Sequence, residues 1–219
     1  MADLVIFGTG DIARLAHHYF RTDSPHRVAA FTVDAEFITD DTFCGLPVVP
    51  FAGVATTYPP AICQMFVALS YAKMNQVRAA KYAAAKGLGY TLASYISSRC
   101  SFLAEAPHGD NCFVLEDNTV QPFVTVGSNV TLWSGNHIGH DSTVGDHTFI
   151  SSHVVVSGHV QVGTHCFVGV NATIRNGLTI GDHTLIGAGA LIMKNTAPRS
   201  VYVAGRTDKV GKTSDQVDL

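Results

Sequence analysis

Charged side chains are scarce in this sequence, and neither sign prevails. Lysine and arginine total 14 residues against 17 aspartates and glutamates, so charged residues make up 14% of the chain and the formal net charge is −3. A surface that binds nucleic acid or an anionic membrane usually carries a marked excess of positive charge. The composition therefore gives no reason to expect either partner.

Cysteine pairs and long apolar runs are missing as well. The five cysteines are odd in number and form no Cys-x-x-Cys motif, which is typical of reduced thiols in a cytoplasmic protein. The first ten residues, MADLVIFGTG, carry Asp3 where a secretory signal would carry positive charge, and their apolar run lasts four residues. No stretch predicts a membrane span. We therefore expect a cytoplasmic protein, and 219 residues suffice for one large or two small domains.

A six-residue repeat dominates the second half of the sequence. From Val114 to Ile192, every sixth residue is valine, leucine or isoleucine, without a break over fourteen positions. Four residues after most of them stands a second small or β-branched residue, such as Val124 or Ala172. This pattern predicts a β-solenoid, in which short strands turn at regular corners and stack on the coil below. We expect the repeated aliphatic side chains to point inward.

A longer period, three hexads in length, lies on top of the six-residue repeat. Val-Gly or Ile-Gly pairs begin at residues 126, 144, 162 and 180, so three hexads form one coil of a triangular prism. Fourteen hexads make nearly five coils, and at ~4.8 Å per stacked strand the prism is roughly 20 Å tall. Glycine, aspartate, asparagine and serine cluster where the corners are expected.

The first hundred residues instead alternate strands with helices. LVIFGTGDIARLAHHYF reads as a strand, a glycine turn and an amphipathic helix, VAAFTVD as a strand ending at Asp34, and MFVALS as another strand. A further helix is predicted over residues 72–87, with Gly87 as its C-cap. This alternation predicts a parallel sheet. The turn at residues 8–13, GTGDIA, either receives a phosphate on its backbone N–H groups or is only a tight turn.

The hexads over about residues 100–205 resemble those of the hexapeptide-repeat acyltransferases, whose fold is a left-handed parallel β-helix. A small Rossmann-like domain followed by such a helix resembles the sugar O-acyltransferase family, which includes N-acetyltransferases of nucleotide-linked amino sugars and sialic acid O-acetyltransferases. The resemblance implies a nucleotide-sugar-binding α/β domain at residues 1–95, a β-helix acyltransferase domain at 96–205 and a tail at 206–219. It also implies a homotrimer that holds acetyl-CoA between neighbouring prisms and uses no metal.

The resemblance also assigns roles to particular residues. The family's catalytic histidine matches His140, and the acidic residue after it matches Asp141, at a corner that faces outward. Gly158 matches a glycine beside the CoA arm, and the other reading of Gly158 is a left-handed turn. The expected cofactor-binding residues are Phe149, Gly158, Val170 and Ala188. The expected substrate-binding residues are Gly8, Thr9, Gly10, Asp34 and His137.

These residue types suit acyl transfer. An amine or hydroxyl must lose a proton as it attacks a thioester, and a neutral imidazole, whose ordinary pKa is about 6.5, is a suitable acceptor. A neighbouring carboxylate fixes the imidazole tautomer, and backbone N–H groups serve the developing oxyanion. A thioester is already reactive, so the chemistry requires neither a metal nor a covalent intermediate. We therefore expect acetyl transfer to the amino group of a nucleotide-linked sugar in glycan or polysaccharide precursor synthesis, with a hydroxyl acceptor as the alternative.

Other features leave alternatives open. His147, His165 and His183 recur at intervals of three hexads above Asn129 and are expected to form a structural or solvent-facing ladder. Gamma-type carbonic anhydrases use the same prism and bind zinc through three histidines, but their motif needs two histidines five apart, and the histidines from 147 to 165 are six apart. A prism without chemistry is a further alternative. Three basic residues of the tail either reach CoA phosphates or form a solvated end: Arg206, Lys209 and Lys212.

Overall fold

The computed structural model describes residues 3–105 and 108–209, together with Gly211 and Thr213, so Lys212 and most of the tail lie outside the described residues. The first part of the chain forms five strands and three helices: β1 Asp3–Phe7, α1 Asp11–Thr22, β2 Arg27–Val33, β3 Thr42–Phe43, β4 Leu46–Pro50, α2 Val54–Thr57, β5 Cys63–Val67 and α3 Gln76–Gly87. Two single 3-10 turns, Ala35–Phe37 and Phe51–Gly53, lie between them. No helix in the described part of the chain is long and apolar enough to cross a membrane.

The N-terminal sheet has the strand order β3-β4-β2-β1-β5. Strands β4, β2, β1 and β5 are parallel, as the alternation of strands and helices predicts, whereas β3 and β4 form an antiparallel hairpin that the sequence analysis missed. Helix α1 buries Ala13, Ala16 and Phe20 against the sheet, because residues three, four and seven apart share one helix face. Strand β1 is buried on both faces over Leu4–Phe7, which makes it the centre of this core.

The predicted boundaries of the third helix are wrong at both ends. Helix α3 begins at Gln76 rather than at residue 72, because Lys73, Met74 and Asn75 have φ values of 50°, 54° and 63° and so cannot continue a right-handed helix. Gly87 is the last helical residue rather than the cap. The left-handed glycine that follows the helix is Gly89, with φ 89°.

The remaining strands are two residues long and stack as three parallel sheets of a β-helix. Their order along the chain is β6 Tyr95–Ile96, β7 Ser101–Phe102, β8 Phe113–Val114, β9 Thr119–Val120, β10 Thr125–Val126, β11 Thr131–Leu132, β12 His137–Ile138, β13 Thr143–Val144, β14 Phe149–Ile150, β15 Val155–Val156, β16 Gln161–Val162, β17 Phe167–Val168, β18 Thr173–Ile174, β19 Thr179–Ile180, β20 Leu185–Ile186, β21 Leu191–Ile192 and β22 Val201–Tyr202.

Each coil of the β-helix contains three hexads, as the longer period predicts. Thr131 pairs with Phe149, Phe149 with Phe167, and Phe167 with Leu185. All fourteen aliphatic hexad residues from Val114 to Ile192 are at most 4% exposed and lie in one apolar core. The division of the chain at residue 95 remains a prediction, since β6 already pairs with β8 of the prism.

Every sixth residue of the prism turns a corner in the left-handed conformation, with φ between 53° and 79°. These corner residues are Asn111, Asp117, Phe123, Asn129, Gly135, Asp141, His147, His153, His159, His165, Asn171, Gly177, His183 and Gly189. Asparagine, aspartate, histidine and glycine tolerate this conformation better than other residues, so the backbone explains the six-residue spacing of the histidines. Phe123 is the exception, at a strain cost of roughly 1–2 kcal/mol. His137 and His140 lie off this register.

A buried arginine joins helix α3 to one edge of the prism. Arg78 is 1% exposed, and its guanidinium donates hydrogen bonds to the backbone and side-chain oxygens of Asn129, the Asn75 side chain and the His147 carbonyl. Burial lowers the pKa of Arg78 to about 10. Asn75 in turn donates to the Cys166 carbonyl at 3.0 Å. The first part of the chain is therefore attached to three successive coils through polar contacts.

Candidate active site

The edge of the prism that carries His140 is built from four equivalent triplets of successive coils: residues 121–123, 139–141, 157–159 and 175–177. We call it the His140 edge. Because one coil spans three hexads, Gly158 lies beside His140, and Phe123 and His159 flank Asp141. The two-residue strands on either side fix the path of the backbone, and the left-handed residue of each triplet turns it.

His140 and Asp141 form a hydrogen-bonded pair. The distance between His140 Nδ1 and Asp141 Oδ2 is 2.7 Å, and the side chains are 53% and 42% exposed. A carboxylate accepts a hydrogen bond and cannot donate one, so it holds the proton of a neutral imidazole on Nδ1. The lone pair of Nε2 is then free to accept a proton from a substrate. The structure thus brings together the two residues predicted to be catalytic.

Two neighbours of this pair were missed by the sequence analysis. Gln121 Oε1 accepts a hydrogen bond from the His140 backbone N–H at 2.9 Å. His159 Nε2 lies 3.9 Å from Asp141 Oδ2, and the ring of His159 meets the His140 ring edge-on with centroids 4.9 Å apart. The period of three hexads gives a signal for His159, because this residue occupies the position of Asp141 in the next coil.

The same three side chains could hold a divalent cation, because the ligand atoms of His140, Asp141 and His159 lie within 4.8 Å of one another. Two ligands of one tetrahedral zinc ion stand about 3.3 Å apart, as zinc–nitrogen distances of about 2.0–2.1 Å require. The 2.7 Å between Nδ1 of His140 and Oδ2 of Asp141 is shorter and corresponds to a hydrogen bond. The geometry therefore favours a base with an orienting carboxylate over a metal centre.

Gly158 lies directly against the imidazole of His140. A Cβ atom at this position would stand 2.8 Å from Nε2 and 2.9 Å from Cε1 of His140, closer than real contacts allow. The backbone of Gly158 does not have a positive φ, so the alternative of a left-handed turn is wrong. The absence of a side chain leaves room for the His140 ring itself, which the sequence analysis did not foresee.

The other predicted cofactor residues are not gathered around His140. Val170 and Ala188 are exposed, but they lie on a different edge of the prism. Ser134 and Ser152 occupy the equivalent positions in the two preceding coils. The prediction for Phe149 disagrees with the structure. Phe149 is 4% exposed, because Tyr71 from the first part of the chain covers its ring at a centroid distance of 5.1 Å. A ring buried in this way has no open face for a cofactor.

The glycine turn of the first part of the chain borders a cavity of about 310 Å³. Four of the predicted substrate-binding residues line it: Gly8, Thr9, Gly10 and Asp34. Its other walls are mainly apolar and come from Phe7, Val33, Phe37, Leu69 and Val77. His137 lies elsewhere, on strand β12 between Thr119 and Val155, and does not contribute to this cavity.

The two glycines of the turn have different roles. Gly8 has φ 126°, and a Cβ atom there would stand 2.8 Å from the Ala68 carbonyl oxygen, so the fold itself requires glycine. Gly10 precedes the first turn of α1 and has ordinary backbone angles, and a Cβ atom there would meet nothing within 4 Å. The space in front of Gly10 is therefore open to a ligand at the N-terminus of a twelve-residue helix.

Lys81 completes the cavity, and no sequence pattern pointed to it. Lys81 Nζ lies 2.6 Å from Asp34 Oδ2 and 5.4 Å from the centre of the Phe7 ring. This places a positive charge from α3 and a negative charge from the end of β2 on one apolar wall. Such a mixture of apolar surface with a few convergent polar groups is typical of small-molecule sites.

The histidine ladder exists as predicted and is half-buried. The His147 ring is tilted by 51° against His165, and His165 stacks on His183, each with ring centroids 4.6 Å apart. Asn129 contacts His147 Nδ1 at 2.9 Å. Burial, with a smaller contribution from His165, lowers the pKa of His147 to about 4, so this ring is neutral at physiological pH. Arg78 donates a hydrogen bond to the carbonyl of His147, the first histidine of this ladder, so the ladder has a structural role. In the tail, Arg206 and Lys209 are exposed.

Two comparisons with known proteins bear on the fold. A family profile described as bacterial transferase hexapeptide (six repeats) matches residues 127–158 and 159–194. Whole-chain superposition finds solved structures with the same architecture, a small α/β domain followed by a left-handed parallel β-helix. The chain therefore has the left-handed parallel β-helix fold, with a segment that matches the hexapeptide profile, and the predicted fold class is confirmed. Comparison with curated protein sequences gives no match.

Three solved structures illustrate the likeness. PerB from Caulobacter crescentus, solved with CoA and GDP-perosamine, is 22% identical with a TM-score of 0.80, covering 92% of this chain and 93% of that one. The acetyltransferase domain of PglB from Neisseria gonorrhoeae is 20% identical with a TM-score of 0.79, covering 92% and 96%. WeeI from Acinetobacter baumannii is 18% identical with a TM-score of 0.77, again covering 92% and 96%. At these identities the likeness shows the fold.

Proposed function

We propose that this protein is an acetyl-CoA-dependent N-acetyltransferase that acts on the amino group of a nucleotide-linked amino sugar. The observation that carries the proposal is the His140–Asp141 pair, whose 2.7 Å hydrogen bond leaves Nε2 as the proton acceptor of a half-exposed side chain on the prism edge. The cavity at Gly8, Gly10 and Asp34 supplies a second site, suited to a nucleotide. Two solved relatives support this reading, since PerB was solved with CoA and GDP-perosamine and the PglB domain with acetyl coenzyme A.

In the proposed mechanism, His140 acts as the general base. The amine of the sugar attacks the thioester carbonyl, a C–N bond forms and the C–S bond breaks. Nε2 of His140 takes the proton that the amine loses, and the resulting imidazolium gives a proton to the leaving sulfur, which becomes the free thiol. Asp141 stabilises the imidazolium that forms in between. Open space at Gly177, where a Cβ atom would meet nothing within 4 Å, fits the approach of an extended acyl carrier along the same edge.

The assembly and setting belong to the same proposal. The flat face that carries β12, β15, β18 and β21, together with its borders, exposes apolar side chains that water would disfavour: Val155, Val170, Leu191 and Met193. A homotrimer of prisms packed side by side would cover this surface and would bring the Val170–Ala188 edge of one chain near the His140 edge of its neighbour. We further propose a cytoplasmic setting, in glycan or polysaccharide precursor synthesis.

A thiol-release assay with acetyl-CoA tests the proposal directly. The acceptors are a panel of nucleotide-linked amino sugars on uridine, guanosine and thymidine diphosphates, and the controls are the same sugars with a hydroxyl in place of the amine. Thiol release and an acetylated product with one amino sugar, and neither with its hydroxyl counterpart, are expected. Release with the hydroxyl sugars alone would make the protein an O-acetyltransferase, and no release with any of them would overturn the proposal.

Gly10→Val tests the nucleotide site. The fold accepts a side chain here, because the position is open and its backbone angles are ordinary, but the side chain would occupy the space of an approaching phosphate. We expect KM for the nucleotide sugar to rise at least about tenfold, which corresponds to ~1.4 kcal/mol, with KM for acetyl-CoA unchanged. Gly53→Val is the matched control, since Gly53 is also an open glycine before a helix. An unchanged KM for the nucleotide sugar would remove this site.

Gly158→Ala tests the contact with the base. The added methyl group must push the His140 ring away from its position, because it would stand 2.8 Å from Nε2. A displacement of this size is expected to lower kcat about ten- to a hundredfold. Steady-state kinetics separates two causes, since a displaced base lowers kcat, whereas a blocked cofactor arm raises KM for acetyl-CoA. Gly87→Ala, at an open helical position, is the control, and wild-type kinetics in a folded Gly158→Ala variant would contradict the assignment.

A further inference from the structure

Phe123 is the one residue of the left-handed corner register between Asn111 and Gly189 that does not suit its backbone. Its φ is 64°, and the other thirteen positions hold asparagine, aspartate, histidine or glycine. Bulky side chains rarely adopt this conformation, and strained positions of this kind cluster at functional sites. Packing within the chain does not compensate the strain, because Phe123 is 59% exposed. An exposed and strained aromatic residue therefore needs another explanation.

The position of Phe123 supplies one. This residue lies on the His140 edge, in the coil below Asp141, at a stacking distance of ~4.8 Å. The two residues before Phe123 hold the backbone of the His140–Asp141 pair. The Gln121 side chain accepts a hydrogen bond from the His140 N–H at 2.9 Å, and the Pro122 carbonyl accepts one from the Asp141 N–H at 3.4 Å. The ring thus stands on the triplet that supports the backbone of His140 and Asp141, one coil away from Asp141.

The two sides of His140 along the edge differ in character. Toward the C-terminus stand Gly158, where the His140 ring fills the space of a side chain, and Gly177, where the edge is open. Toward the N-terminus stands the Phe123 ring, which is exposed. An acceptor that reaches the His140–Asp141 pair along this edge from the N-terminal side would pass Phe123.

We propose that Phe123 is a specificity-determining residue, whose exposed ring forms one wall of the acceptor site and packs against the apolar C–H face of a pyranose ring. This inference rests on the proposed N-acetyltransferase function and names the part of the acceptor that the site recognises. An aromatic face contributes large contact area with few rotatable bonds, which suits the positioning of an amine in front of a base.

The test exchanges Phe123 for asparagine, which suits the left-handed backbone and removes the ring. Phe123→Asn is expected to raise the melting temperature by a few degrees, since a strained residue is relieved. At the same time KM for the nucleotide amino sugar should rise at least about tenfold, or ~1.4 kcal/mol, with KM for acetyl-CoA unchanged. Phe123→Tyr keeps the ring and should keep the wild-type KM. His183→Asn makes a similar exchange in the same register on the edge of Asn129 and His147, and it should change neither substrate's KM.

Each other outcome overturns the inference in a recognisable way. A wild-type KM for the acceptor in a more stable Phe123→Asn variant would mean that the ring does not touch the sugar. An equal rise in KM for acetyl-CoA, or dissociation of the oligomer in size-exclusion chromatography, would assign the ring to the cofactor or to a subunit contact. Absence of thiol release by the wild-type protein with every sugar of the panel would instead refute the proposed function, and this inference with it.

Discussion

Replacement of His140 by alanine should lower kcat by about 10²–10⁴-fold, the usual contribution of a general base. His140 is the residue whose Nε2 is left free by the 2.7 Å hydrogen bond to Asp141, and no other side chain of the described residues on this edge has a comparable arrangement. The backbone at His140 is not left-handed, so alanine introduces no strain there. The measurement is kcat at saturating concentrations of both substrates.

Two controls make this result specific. His18→Ala removes an exposed histidine from helix α1 and should keep wild-type activity. The melting temperature and the oligomeric state of His140→Ala should equal those of the wild type, since the His140 side chain is half-exposed. A loss of activity below about tenfold in an intact His140→Ala protein would exclude His140 as the base, because proton transfer by a positioned side chain contributes more than this.

Replacement of Arg78 by methionine should lower the free energy of unfolding by about 2–4 kcal/mol. Methionine fills much of the same space but donates no hydrogen bond, so it leaves the backbone oxygens of Asn129 and His147 and the side-chain oxygen of Asn75 without the donor that Arg78 supplies. Each unsatisfied buried acceptor costs about 1–3 kcal/mol, and part of this cost is offset because the buried charge is removed.

Denaturant unfolding measures the effect, with Arg14→Met as the control. Arg14 is 68% exposed and pairs with Asp11 on the surface of α1, and exposed pairs of this kind contribute at most about 1 kcal/mol. Limited proteolysis adds a second readout, since loss of the Arg78 contact should expose the segment before α3 to cleavage. Equal stabilities of the two variants would show that the arginine is not what attaches α3 to the prism.

The prism could be predicted from the sequence because its contacts are periodic. Once the coil of three hexads is recognised, the neighbours of any residue are those three hexads away, and this rule places Gly158 beside His140 and His159 beside Asp141. The corner register follows from the same repeat. In such a region the period of the sequence alone determines which residues are neighbours in the structure.

The contacts between the first part of the chain and the prism could not be predicted in this way. The Arg78–Asn129 contact, the covering of Phe149 by Tyr71 and the Lys81–Asp34 pair all join segments that share no period. They depend on how α3 and the turn before it dock on the prism. This docking depends on the left-handed conformation of residues 73–75, which the sequence does not indicate because none of the three is glycine. The predicted role of Phe149 failed for this reason.

Because every coil contains three hexads, the height of the prism can change only in fixed steps. Residues can be added to or removed from the stack in whole coils without moving any side chain from one edge to another, and each step changes the height by ~4.8 Å. The first part of the chain is attached to three of these coils, at residues 129, 147 and 166, so it keeps a fixed height relative to His140. Insertion of one whole coil after residue 177 would lengthen the prism by one such step and would leave both His140 and these attachment points in place.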